Sequence, residues 1–92
     1  MALERRTIRF SGRVQGVGFR ATAQHLAADL ALCGTVENLA EGDVELVAEG
    51  AGDQIDLLIS RLREHFGTFL RKVEQRSSAA TGTSGKGIRI VQ

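Results

Sequence analysis

Residues 12–20 read GRVQGVGFR: three glycines and two arginines in nine positions, with no carboxylate, histidine or cysteine. This stretch constrains the fold because the hydrophobic period changes across it. Before it, RTIRFSGRV alternates, with Ile8 and Phe10 on one face and Thr7 and Arg9 on the other. That is the pattern of a half-buried strand. After it, Phe19, Ala23, Leu26, Leu30 and Cys33 recur at helical spacing, with Ala27 beside them and Gln24, Asp29 and His25 off the stripe. The spacing predicts a helix over 20–33, ended by Gly34 in a left-handed cap conformation. The glycine-rich segment is therefore a strand-to-helix turn shaped to expose backbone.

The remaining chain supplies the partners for this unit. TVENLAEGDVELVAEG reads as two short strands joined at Ala40–Gly42, with Val44, Leu46 and Ala48 alternating against Glu45, Val47 and Glu49. Gly42 suits the tight turn between them. A second helix follows, with Asp53 as its cap, Asp56 in its first turn and Gly67 as its stop. Ile55, Leu58, Ile59, Leu62 and Phe66 are its buried face. FLRKVEQ is a weaker strand around Val73, and SSAATGTSGKG, residues 77–87, is predicted to be a mobile loop. GIRIV closes the chain as a last strand, with Ile88 and Ile90 predicted inward. The order βαββαβ plus a C-terminal strand predicts an α+β fold. Its form is a ferredoxin-like α/β sandwich, two helices on one face of a mainly antiparallel sheet. A single domain is expected over 1–92. Arg9, Glu37, Glu45, Glu49 and Arg89 are expected on the uncovered, solvated face.

The topology also makes a geometric statement about chemistry. A helix over 20–33 is about 20 Å long at ~1.5 Å per residue, and a strand over 34–40 returns a similar ~20 Å at ~3.3 Å per residue. A β-α-β crossover makes the two strands parallel, so Asn38 comes back to the edge of the sheet that carries the glycine turn. Arg20 and Asn38 should then be neighbours. A glycine-rich turn at a helix N-terminus aims several backbone N–H groups into one concavity, where the helix dipole adds positive character. Phosphate, which accepts from many donors at once, suits that concavity, and the Arg20 guanidinium can pair two of its oxygens. The alternative is that the glycines serve only the sharp turn. Arg20 at the helix start and Asn38 opposite it weigh for the anion.

Other function classes are poorly supported. A net charge of +1 does not make the basic field of a nucleic-acid binder, and the chain has four Phe but no Trp or Tyr for base stacking. No export signal or apolar run of spanning length is seen. Cys33 is the sole cysteine, so an internal disulfide is impossible and a zinc site is not expected; a cytoplasmic location fits. Walker A and G-x-G-x-x-G patterns are absent, and TSGKG precedes a strand rather than a helix. His25 and His65 are expected at the surface, and Cys33 as a small core residue at a helix end. Arg13 adds positive potential without a catalytic role.

GRVQGVGFR together with Gly34, Val36, Asn38, Gly42 and Val44, a G-x-V-x-N-x-x-x-G-x-V pattern, resembles the paired signature of the acylphosphatase family. The match is specific over residues 8–50. The resemblance implies hydrolysis of acyl phosphates to a carboxylate and inorganic phosphate, with no metal, cofactor or covalent intermediate. It implies that backbone N–H groups of Gln15, Gly16, Val17, Gly18, Phe19 and Arg20 hold the phosphate, that Arg20 binds the phosphoryl group, and that Asn38 holds the attacking water. The expected partners are a small-molecule acyl phosphate and inorganic phosphate as product or inhibitor. The chain is expected to act as a monomer, with no nucleic acid or membrane. An alternative is a weakly active or non-catalytic module that binds phosphate or carbamoyl phosphate, like the N-terminal part of hydrogenase-maturation carbamoyltransferases. The lack of a following domain weighs against that. Thr35 stands where the family usually has an aromatic residue and Glu37 where it has a basic or neutral one. The usual Gly-Pro step after the second helix is missing, which leaves the fourth strand's path open.

Overall fold

The structure, a computed structural model, describes residues 3–82 and 85–91. In chain order it forms β1 (Leu3–Gly12), α1 (Phe19–Leu26), β2 (Leu32–Asn38), β3 (Val44–Ala51), α2 (Gly52–Phe66), a 3-10 turn (Gly67–Phe69), β4 (Leu70–Ala79) and β5 (Gly87–Val91). The sheet order is β4-β1-β3-β2-β5. β1 is antiparallel to β3 and β4, and β2 is antiparallel to β3 and parallel to β5. This is the ferredoxin-like α+β arrangement that the hydrophobic periods predict.

Strand alternation decides what each face does. Ile8, Phe10, Val36, Val44, Leu46, Ala48 and Ile88 turn to the helices and are buried. Ala23 of α1 and Ile55, Leu58, Leu62 and Phe66 of α2 close over them. The Phe19 ring sits between Phe10 and Phe66, with centroids 4.9 and 4.7 Å away. Burying a side chain of this size contributes about 1.5–3 kcal/mol. Because β1 and β2 each run antiparallel to β3, they are parallel to one another. Val44 pairs with both Phe10 and Asn38, so the ends of β1 and β2 share one end of the sheet.

Several expectations are corrected. α1 stops at Leu26, not at residue 33. Past Leu26 the backbone bonds tighten to i→i−3, from Ala28 N–H to the His25 carbonyl at 3.1 Å and from Leu30 N–H to the Ala27 carbonyl at 3.0 Å. Arg61 of α2 donates to the Leu26 carbonyl at 2.8 Å, supplying a partner at the helix end, and grips Asp29 at 2.7 and 3.2 Å. Leu30 is still buried, but from a turn, and Cys33 is a half-buried residue of β2 rather than a helix end. Gly34 caps no helix. It lies in β2 at φ 155°, where a Cβ would stand 1.8 Å from the Val47 carbonyl oxygen, so close pairing with β3 demands glycine.

Asp53 lies within the first turn of α2, whose cap position is Ala51, and no side chain caps it. Asp56 instead bonds Arg6 at 2.5 Å. Ser77–Ala79 extend β4 instead of opening the expected loop. Thr83 and Ser84 of that stretch lie outside the described residues. Glu49, expected to be solvated, is 6% exposed: Arg5 pairs with it at 2.8 Å, and the N–H and hydroxyl of Thr81 donate to its two oxygens. Ile90 shares a face with the buried Ile88 yet is 39% exposed. Gly67 does end α2, at φ 52°.

Candidate active site

The turn between β1 and α1 is held at both sides by buried side chains, Val14 and Phe19. Between them the backbone is free to take a shape that only glycine favours. Gly16 and Gly18 have φ of 77° and 76°, while Val17 between them keeps a negative φ. Such alternation points successive N–H groups to one side, as in anion-binding nests. A Cβ on Gly16 or Gly18 would meet nothing within 4 Å. Glycine is therefore required there by conformation, and the space above the turn is open. Gly18 is the cap residue of α1 and no side chain closes the helix start. The first helical bond runs from Thr22 N–H to the Gly18 carbonyl at 2.9 Å. Among the described residues, the N–H groups of Gly16, Val17 and Gly18 have no partner.

Arg20, on the first turn of α1, is half-buried and donates to the Val91 carbonyl of β5 at 3.4 Å. No carboxylate among the described residues pairs with it. Asn38 ends β2 and is also half-buried. Gly16, Gly18, Phe19, Arg20 and Asn38 line one cavity of about 190 Å³, with Ile90 forming an apolar part of its wall. The eighteen-residue separation of Arg20 and Asn38 is thus closed by the crossover, and Ile90 owes its exposure to its place at that opening. A larger hollow, about 870 Å³, lies beside Arg13, Phe69, Arg71 and Lys72. Neither Arg20 nor Asn38 lines it, so size alone does not mark the site.

One contact of the loop is not foreseeable from sequence patterning. The Gln15 side chain donates from Nε2 to the Leu39 and Asp43 carbonyls, at 2.8 and 2.9 Å. These belong to the β2–β3 turn that follows Asn38, closed by Leu39 N–H to Asp43 O at 2.8 Å. Arg9 holds the same turn from the other face of the sheet, donating to the Asp43 carboxylate at 2.6 Å. That hydrogen bond holds the Asp43 carboxyl below its ordinary value, against the opposing effect of burial.

The two departures from the family pattern fall together. Thr35 and Glu37 alternate with Val36 and Asn38, so both lie on the face away from the cavity. Glu37 makes no ion pair with Arg9 or Arg89 among the described residues; Arg9 is engaged by Asp43 and Glu41. His25 and His65 are exposed, as expected. Arg13 lies over the Phe69 ring at 5.4 Å and takes no part in the cavity. Among the described residues, no three His, Cys, Asp or Glu side chains are grouped to hold a metal ion, and no helix is long and apolar enough to cross a membrane.

The family model described as acylphosphatase matches residues 6–86, spanning both glycine motifs and, of the cavity lining, all but Ile90. The chain belongs to the acylphosphatase family. It is 49% identical over 63 residues to the acylphosphatase of Thermus thermophilus, covering 68% of this chain and 69% of that one. It is 45% identical over 75 residues to the acylphosphatase of Methylococcus capsulatus, covering 78% and 79% of the two. The solved structure of an acylphosphatase from Coxiella burnetii superposes with a TM-score of 0.84 at 34% identity, covering 98% of this chain and 94% of that one. The acylphosphatase likeness thus extends through β4 and β5, where the motifs themselves are silent, and the fourth strand takes the family path without a Gly-Pro step.

Proposed function

We propose that this acylphosphatase holds the phosphoryl group of an acyl phosphate against the backbone N–H groups of Gln15–Arg20 and the Arg20 guanidinium, and aims a water at phosphorus with Asn38. The observation that carries the reading is the convergence of Gly16, Gly18, Arg20 and Asn38 on one small cavity. Hydrolysis then needs little more than placement. Negative charge spread over the transferring phosphoryl oxygens is stabilised by preorganised donors, which act without reorganising during the reaction. The water oxygen forms the new bond to phosphorus as the bond to the acyl oxygen breaks, and the carboxylate leaves with the electron pair. A carboxylate is a good leaving group, so no general acid is required. The Asn38 amide cannot remove a proton near neutral pH but can donate to and accept from a water. The water's proton passes to a phosphoryl oxygen.

Two further features belong to this reading. A sole cysteine with no second one to bridge to suits a reducing cytoplasm. A small, near-neutral chain with a self-contained cavity suits a monomer that binds neither nucleic acid nor membrane. Benzoyl phosphate hydrolysis with inorganic phosphate as competitor tests the division of roles. Arg20→Ala is expected to lose phosphate inhibition and turnover together, and Asn38→Ala to lose turnover with phosphate inhibition kept. Phosphate binding without turnover in the wild type would favour the binding module instead. Wild-type hydrolysis in both variants would refute the assignment.

A further inference from the structure

The cradle and Asn38 sit on different elements, with the full width of β3 between the strands that carry them. β3 separates β1 from β2, which puts their ends ~10 Å apart at ~4.8 Å per strand. The base of the loop is tied the other way, by Arg13 N–H to the Phe69 carbonyl at 2.8 Å. Toward the β2–β3 turn, Gln15 makes the connection. Its Nε2 carries two hydrogens, and its two bonds go to carbonyls 24 and 28 residues away. Gly16, the first residue of the nest, follows Gln15, and Asn38 precedes Leu39. Among the described residues, no other hydrogen bond joins residues 13–18 to the β2–β3 turn.

We infer that Gln15 is a positioning residue for the reaction: its amide sets the distance between the phosphate cradle and the water-holding Asn38. This rests on the reading above, in which the loop binds the phosphoryl group and Asn38 the water. Attack on phosphorus requires a narrow geometry, and a misplacement of about 1 Å can cost on the order of 10²-fold in rate. Binding of phosphate alone makes no such demand on Asn38. A tether of this kind therefore acts on turnover and leaves anion affinity in place. Arg9, through Asp43, anchors the turn that receives the tether, so the two carbonyls present a fixed target.

Gln15→Met keeps the length of the side chain and removes both donors; Gln15→Glu sets a carboxylate against two carbonyls. Benzoyl phosphate kcat and KM and the inhibition constant of inorganic phosphate are measured for both, for Asn38→Ala, and for Gln15→Met combined with Asn38→Ala. The expected result is a loss of about tenfold or more in kcat for each Gln15 variant with phosphate inhibition within about threefold of wild type. In the Asn38→Ala background, Gln15→Met adds no further loss, because the partner it positions is gone. Wild-type kcat in Gln15→Met would overturn the inference. So would a full additional loss on top of Asn38→Ala, or a fall in phosphate affinity equal to the fall in kcat. Should Gln15→Glu fail to fold, Gln15→Met decides. Wild-type turnover in Asn38→Ala would remove the reading beneath this inference, whereas failure of the Gln15 variants alone leaves that reading standing.

Discussion

Arg6 and Arg20 lie toward opposite ends of the same sheet and are treated in opposite ways. Arg6 is 8% exposed and is held by Glu4, Asp56 and Gln75, at 3.0, 2.5 and 3.0 Å. Its partners come from β1, α2 and β4, so it fastens three elements together. Among the described residues, Arg20 has one long hydrogen bond to a carbonyl and no carboxylate partner. The glycines repeat the contrast. A Cβ on Gly52 would meet the Glu4 carboxylate at 2.5 Å, whereas one on Gly16 or Gly18 meets nothing. Among the described residues, charge is neutralised by carboxylates at one end and left without one at the other.

The largest expected break in this contrast is Arg20→Ala. Losing one preorganised donor costs about 3–4 kcal/mol of transition-state stabilisation, which is hundreds-fold in kcat/KM. Its Tm should stay near wild type, as few contacts are lost. Arg6→Met should show the reverse: near-normal kcat per folded molecule and a stability loss of about 1–3 kcal/mol by urea unfolding. That lies below the cost of breaking a fully buried pair because Glu4 and Asp56 can still reach water. Equal kinetic defects in the two variants would erase the distinction between the ends. Gly18→Ala is smaller in energy, about 1–2 kcal/mol for a side chain forced into the left-handed region, and should weaken phosphate inhibition more than it lowers Tm.

The smallest effect concerns pH. Folding lowers the Asp43 carboxyl below its ordinary 3.8 through the Arg9 hydrogen bond. The pair therefore contributes fully above that ordinary value, and its contribution disappears as pH falls through the lowered one. Asp43→Asn should reduce Tm slightly at neutral pH, with the gap to wild type closing in strong acid. A gap that widens in acid would contradict the pairing.

Much of this was legible in the sequence because it is local. The alternation around Ile8 and Phe10, the switch of period at Phe19 and the glycine at 67 each depend on neighbours in the chain. The meeting of Arg20 with Asn38 followed from crossover geometry. What was missed depends on distant residues. The carbonyl at the end of α1 finds its side-chain donor in Arg61, thirty-five residues on from Leu26. Glu49 is covered by Thr81, and Ile90 is exposed where β5 borders the cavity. The Gln15 side chain bonds carbonyls, which leave no mark in a side-chain pattern. The crossover brings Gly16, Gly18, Arg20 and Asn38 to one cavity, as their spacing predicts, while the tie through Gln15 has no sequence signal.

Among the described residues, β5 pairs only with β2, in parallel, and it carries the carbonyl that receives Arg20. Both glycine motifs are complete by Val44, but β2 keeps a bare edge until residues 87–91 have been made. At synthesis rates of about 5–20 residues per second, that interval is a few seconds. For those seconds the nascent chain offers another chain a template for strand addition, and Arg20 lacks the carbonyl to which it donates.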